Sequence, residues 1–184
     1  MRLVPHQEAP TSLCWSFSNR SALVRVPLGW TKKVDMAAIV NPLEKSRNED
    51  FSSKQTFEWR AADGFADTYL LMAALCCAAR HGFERPDALE IADKTYVGLG
   101  VNIHDTSNAA IQSALEQLPA SCVEAAGELQ KDREIYTSKG VFSDAVVDFY
   151  IKHLTAFNDS TLRSELEKDL PRLSRFVEEC INNG

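Results

Sequence analysis

Six charged side chains near the front of this 184-residue chain are of the types that could do chemistry: Arg2, Glu8, Arg20, Arg25, Glu58 and Arg60. Arg2 and Glu8 stand in a proline-punctuated stretch, Arg20 at a predicted turn, Arg25 on a predicted strand, and Glu58 and Arg60 together on another. A guanidinium fork offers parallel N–H donors that match the two oxygens of a carboxylate or phosphate, and a carboxylate among such groups can hold a hard divalent cation. If the strands are neighbours, the six converge on one anion-binding surface. On residue types alone they also read as ordinary surface ion pairs, and spacing leaves both readings open.

The elements that must position these groups come first in the chain. In Ser12 to Ser18 the large apolar residues Leu13, Trp15 and Phe17 alternate with Cys14, Ser16 and Ser18, the period of a half-buried strand. Asn19-Arg20 reads as a tight turn and Ala22 to Pro27 as a returning strand, so the pair is expected to form an antiparallel hairpin. Leu28 to Lys54 mixes Gly, Pro, Asn and charges and reads as a long loop. In the next strand, Gln55 to Ala61, Phe57 and Trp59 share one face as aromatic anchors, while Thr56, Glu58 and Arg60 share the other.

After Asp63-Gly64 the pattern turns helical. Ala66 to His81 is apolar enough to predict a buried helix ended by Gly82. Further helices are predicted at Pro86 to Lys94, Ser107 to Gln117 and Cys122 to Glu134. Ser143 caps Asp144 to Phe157, and Asp159 opens a last amphipathic helix that Pro171 kinks or splits. The expected class is α+β in a single unit over 1–184. Residues 1–61 form a small antiparallel sheet, a hairpin plus one further strand, with the loop 28–54, and 62–184 form a helical region.

Charge is unevenly placed. Residues 1–60 hold nine Lys/Arg against six Asp/Glu, whereas the remainder holds 11 against 20, within a net charge of −6. The front third therefore suits an anionic small molecule, and the acidic remainder argues against nucleic acid. Five scattered cysteines without C-x-x-C spacing read as reduced, mostly buried thiols, and four dispersed histidines make no local metal cluster. Without a long apolar run or a basic leader with an apolar stretch, no membrane span or secretory signal is expected, and a cytoplasmic location follows.

The wording of the segments resembles one family. Arg2-Leu3-Val4-Pro5 with Glu8-Ala9-Pro10, Asn19-Arg20-Ser21-Ala22 with Arg25-Val26-Pro27, and Phe57-Glu58-Trp59-Arg60 with Asp63-Gly64 resemble, in order, three motifs of the glutamine synthetases. Asp132-Arg133-Glu134 to Gly140-Val141-Phe142 is similar to a fourth stretch. The likeness covers essentially the whole chain and is to the C-terminal part of a type I-like catalytic domain. It departs at His6-Gln7, where the family usually has glycine and an aromatic, and at Thr56, where many type I members have arginine.

The resemblance implies a glutamate-ammonia ligase, which phosphorylates the glutamate side chain with ATP and lets ammonia displace the phosphate. By it Arg2 and Arg60 hold the glutamate carboxylates, and Glu8 sits on a flap that shields the acyl phosphate and takes a proton from ammonium. Arg20 and Arg25 contact nucleotide phosphates, with Arg20 assisting transfer, and Glu58 is one ligand of Mg or Mn. The partners implied are ATP, glutamate, ammonium and further copies of the chain in a homo-oligomer.

The family's N-terminal β-domain and its other metal ligands have no counterpart here, so the chain alone is expected to be inactive. A sheet without its neighbours is also expected to self-associate through an exposed edge. Two alternatives stand beside this one: a non-catalytic helical interaction or regulatory module derived from such an enzyme, and a related ligase joining glutamate to another amine.

Overall fold

The structure, a computed structural model, describes residues 9–27, 35–45, 55–64 and 66–182. Arg2, Glu8 and much of the stretch 28–54 lie outside them. Strands β1 (Trp15–Phe17), β2 (Val24–Val26) and β3 (Glu58–Trp59) make one sheet in that order. A short helix, α1 (Met36–Val40), falls inside the stretch expected to be loop and is capped by the Asp35 carboxylate on the Ala38 N–H. The helical body then runs α2 (Thr68–Glu84), α3 (Ala88–Thr95), α4 (Ala109–Ala114), α5 (Cys122–Lys131), α6 (Arg133–Thr137), α7 (Asp144–Ala156), α8 (Leu162–Leu166) and α9 (Leu170–Asn182). The α+β class and the helical body are as the sequence predicts.

The strand pairing is not. β1 and β2 run parallel, with Trp15 opposite Val24, Ser16 opposite Arg25 and Phe17 opposite Val26; only β2 and β3 are antiparallel. The expected hairpin is therefore replaced by a tight crossover, and the sheet is mixed. Two features redirect the chain. Ser18 takes the left-handed backbone with a φ of 53°. The polar side chains that a hairpin would leave in solvent are instead buried and committed elsewhere. Asn19 donates from Nδ2 to the Val101 carbonyl at 2.6 Å and accepts on Oδ1 from the Ser21 N–H at 2.9 Å and the Ser21 hydroxyl at 2.8 Å. The Ser21 Oγ in turn accepts from the Ile103 N–H at 3.2 Å. Because three-residue strands are short, the few residues from Ser18 to Leu23 suffice to return the chain to the same end of the sheet.

The predicted alternation in β1 holds, and the buried side is the small one. Ser12, Cys14 and Ser16 are buried, while Leu13 and Phe17 are exposed. Small residues let the strand approach the segment after α3, so Cys14 and Ala22 pack with Val97, Ile103 and Leu115 in one apolar cluster. On the outer side Trp15, Phe17 and Tyr96 stack into an aromatic ledge, with the Trp15 and Tyr96 ring centroids 4.9 Å apart. The Trp15 indole donates to the Ala92 carbonyl at 2.7 Å, and the Val97 N–H donates to the Trp15 carbonyl at 3.0 Å. Thr11 to Leu13 lie along Glu116 to Leu118, with N–H to carbonyl distances of 2.8 Å on both sides of the Ser12–Gln117 bridge. The site-bearing strands are thus sewn to the first helices by backbone bonds.

In α2 the sequence prediction fails in burial and in its end. Asp67 caps it, accepting from the Tyr69 and Leu70 N–H groups, but Cys77 is its buried residue, and Tyr69 and Phe83 lie in solvent. The helix touches α6, tied there by Arg80 Nη2 donating to the Ile135 carbonyl at 2.8 Å, and no other described element packs extensively on its remaining faces. It runs through Gly82 and stops at Arg85, held extended by the following Pro86. The last amphipathic stretch is split, as predicted. The break falls ahead of Pro171, which sits in the first turn of α9 where a missing N–H costs little.

Helix α5 packs against α7, and both are capped. Ser143 caps α7 through the Val146 N–H, as the sequence predicts. Ser121 caps α5 through the Glu124 N–H, and Glu124 reaches back to the Ala120 N–H at 2.8 Å. Asp159, beyond α7, adds a second clasp. Its oxygens accept from the Cys122 N–H at 2.8 Å and the Val123 N–H at 3.2 Å. Burial opposes the Asp159 charge, but these two N–H groups and the Cys122 thiol outweigh it and hold the carboxyl below the usual 3.8.

Replacing Asn19 with Ala leaves the buried Ser21 N–H without its acceptor and the Val101 carbonyl with only the 3.3 Å contact from the Ser21 hydroxyl. It should cost about 2 kcal/mol in urea unfolding, and a loss under about 0.5 kcal/mol would deny the network this role. A carboxyl whose folded value is depressed stabilises above its unfolded value and loses that contribution as pH falls through the folded one. Asp159→Asn should therefore cost about 1 kcal/mol at neutral pH and flatten the decline of the urea midpoint below pH 3.8. A decline as steep as in the unaltered chain would show that another group drives it.

Candidate functional site

The antiparallel register of β2 with β3 sets Arg25 opposite Glu58. The Arg60 N–H donates to the Leu23 carbonyl at 3.0 Å, and Arg60 Nη1 donates to the Ala22 carbonyl at 3.4 Å, folding that side chain back over the start of β2. Glu58 is consequently shared: its Oε2 lies 2.7 Å from Arg25 Nη2 and its Oε1 3.6 Å from Arg60 Nε. The two arginines are mostly covered, with side chains 22% and 17% exposed, whereas the carboxylate is 41% exposed and faces solvent more openly. An opposite-charge pair directly across two strands is a favourable arrangement, strengthened here by a second cation on the free oxygen.

Two guanidiniums against one carboxylate leave the cluster with a surplus positive charge. Such a group is fit to receive an anionic ligand, phosphate or carboxylate, on the donors that Glu58 does not use. It does not by itself fit a divalent cation. Mg demands a near-octahedral oxygen shell, Glu58 supplies one carboxylate already engaged by arginines, and among the described residues no three His, Cys, Asp or Glu side chains group to hold a metal.

Of the six residues singled out from the sequence, the structure brings Arg25, Glu58 and Arg60 together. Arg20 is exposed on the crossover and makes no ion pair or hydrogen bond with a described residue. Arg2 and Glu8 fall outside the described residues. Phe57 and Trp59, read as anchors behind the charged face, are exposed at 75% and 38%, because no described element packs over that side of β3. Sequence reasoning missed Asn19 and Ser21 as the residues that fix the crossover; they flank Arg20 and are legible as locks only once the residues near 101–103 are known to lie beside them. The described thiols are free, but they are not mostly buried as expected: Cys76 is exposed and Cys122 half-buried. Cys14, Cys76, Cys77 and Cys122 are free, with Cys14 and Cys77 buried, and burial pushes the Cys14 thiol up so that it stays neutral in the core. No described helix is long and apolar enough to cross a membrane.

Because Glu58 is substantially exposed and screened, Glu58→Ala should change the unfolding free energy by less than about 1 kcal/mol. A larger loss in urea unfolding would make the trio a structural brace.

A family model described as "Glutamine synthetase, catalytic domain" matches residues 1–161. The chain is 34% identical over 152 residues to the glutamine synthetase of Vibrio cholerae, a match covering 82% of this chain and 26% of that protein. It is 32% identical over 151 residues to the glutamine synthetase of Sulfolobus acidocaldarius, with 82% and 26% covered. The match to the glutamine synthetase of Pyrococcus furiosus is 30% over 179 residues, covering 97% of this chain and 34% of that protein. The chain thus spans 26% to 34% of the length of these relatives.

Proposed function

Since the chain belongs to the glutamine synthetase family, we propose that its arginine-glutamate cluster is one part of a site that joins ammonia to L-glutamate at the expense of ATP, through γ-glutamyl phosphate. The observation that supports this most directly is the shared carboxylate: Glu58 spaces Arg25 and Arg60 on one face of the sheet. Two anionic ligands can then be held close together, one on each guanidinium. Arg60, with Arg2, would take the carboxylates of glutamate, and Arg25, with Arg20, would take the phosphates of ATP. Transfer of a phosphoryl group depends on positioning and on cations that offset charge on its oxygens, and fixed arginines supply both.

Glu58 also aligns the arginines before any substrate arrives, which lowers the ordering cost of binding. Glu8 would lie on a loop over the acyl phosphate, excluding water and accepting a proton from ammonium. Magnesium or manganese would supply charge neutralisation for the nucleotide, with Glu58 as one ligand of a set completed outside the described residues. On this reading the 184 residues alone bind substrates weakly and turn over nothing detectable, in keeping with their spanning 26% to 34% of the relatives' length. Self-association of such chains fits the large apolar side chains left in solvent, among them Phe57, Tyr69, Phe83 and Leu89.

The test is ATP hydrolysis coupled to glutamate and ammonium. It should be run on this chain alone and on a full-length relative in which the chain replaces the corresponding segment. Only the second should turn over, and in it Arg60→Ala should lower kcat/KM by about 100-fold or more with the fold intact. Turnover by the chain alone would overturn its incompleteness, and near-normal activity of the Arg60 variant would overturn the site.

A further inference from the structure

A phosphate-contacting Arg25 needs its guanidinium fixed at more than the one nitrogen that meets Glu58. Ser16 and Arg25 are register partners in the parallel pair of β1 with β2. Side chains so paired leave the same face of the sheet about 4.8 Å apart, the spacing between strands. Ser16 is 0% exposed, and its hydroxyl has no hydrogen-bond partner among the described residues. Arg25 Nε is likewise buried and without a partner, although Nη2 of the same group lies 2.7 Å from Glu58.

A buried hydroxyl and a buried guanidinium N–H left unpaired on neighbouring strands would each cost more than a typical hydrogen bond returns. Folded proteins meet such pairs with internal water, which needs two or more polar partners to be held. We propose that Ser16 is a positioning residue: one buried water accepts from Arg25 Nε–H and donates to Ser16 Oγ, fixing the tilt of the guanidinium. The guanidinium is then held at two nitrogens, by Glu58 at Nη2 and by Ser16 through water at Nε, and Nη1 remains for the phosphoryl oxygen. A serine is suited to this place because any larger side chain would fill the space between the strands. Alanine would keep the packing and remove the polar partner.

The inference rests on the phosphate role of Arg25 and can be separated from it. Nitrogen-15 NMR of the chain would follow hydrogen exchange at Arg25 Nε–H, assigned through Arg25→Lys, and titration with magnesium-ATP would follow affinity. Ser16→Ala should speed that exchange about fivefold and weaken ATP by a similar factor, the scale of one hydrogen bond. Equal exchange in the unaltered and Ser16→Ala chains, with both spectra folded, overturns the inference whatever ATP does. Faster exchange together with unchanged ATP affinity in both Ser16→Ala and Arg25→Lys keeps the water-held guanidinium and overturns the phosphate role. A high-resolution crystal structure showing Arg25 Nε bonded directly to Ser16 Oγ, or to a third group, would remove the water.

Discussion

The structure depends on a small buried polar knot. Asn19 and Ser21 each satisfy two or more groups at once, and their partners, Val101 and Ile103, come from a segment beyond three helices. Within a low-dielectric interior such a network gains strength only when every member is paired, and this one offers few alternatives. It decides that the chain crosses over instead of turning back. That in turn sets β1 beside β2 in parallel and leaves the far edge of β2 free for β3. Only then does Glu58 meet Arg25. The charged cluster is thus a consequence of a neutral one.

Electrostatics then does local work on a frame already fixed. One carboxylate between two guanidiniums is a compromise in which neither cation is wholly neutralised, and coverage of the arginines by backbone keeps water from screening them fully. Their remaining donors stay available to an anion. The surplus is cationic in a chain whose total charge is −6, and along the sequence residues 1–60 differ in sign from the remainder.

Much of this was legible from residue types, and the failures share a cause. The charged triplet, the capping of α7 by Ser143 and the split before α9 arise from local rules that tertiary context did not override. The parallel pairing was not legible, because Asn19-Arg20 looks like turn chemistry until the distant carbonyl that claims Asn19 is known. The inverted face of β1 went the same way: period reports that two faces differ, and only packing reports which one is inside. Helix α2 carries an apolar sequence with little to bury it against among the described residues. Its composition therefore overstated its burial, as did the aromatics of β3.

The carboxylate of Asp159 joins residues 37 positions apart, fastening the turn after α7 to the first turn of α5. The intervening chain is thereby closed into a ring with two packed rods inside it, and neither rod can fray from that end without opening the clasp. Fluctuations of α5 and α7 are consequently shared, and the two behave as one opening unit although seven non-helical residues and a separate short helix lie between them.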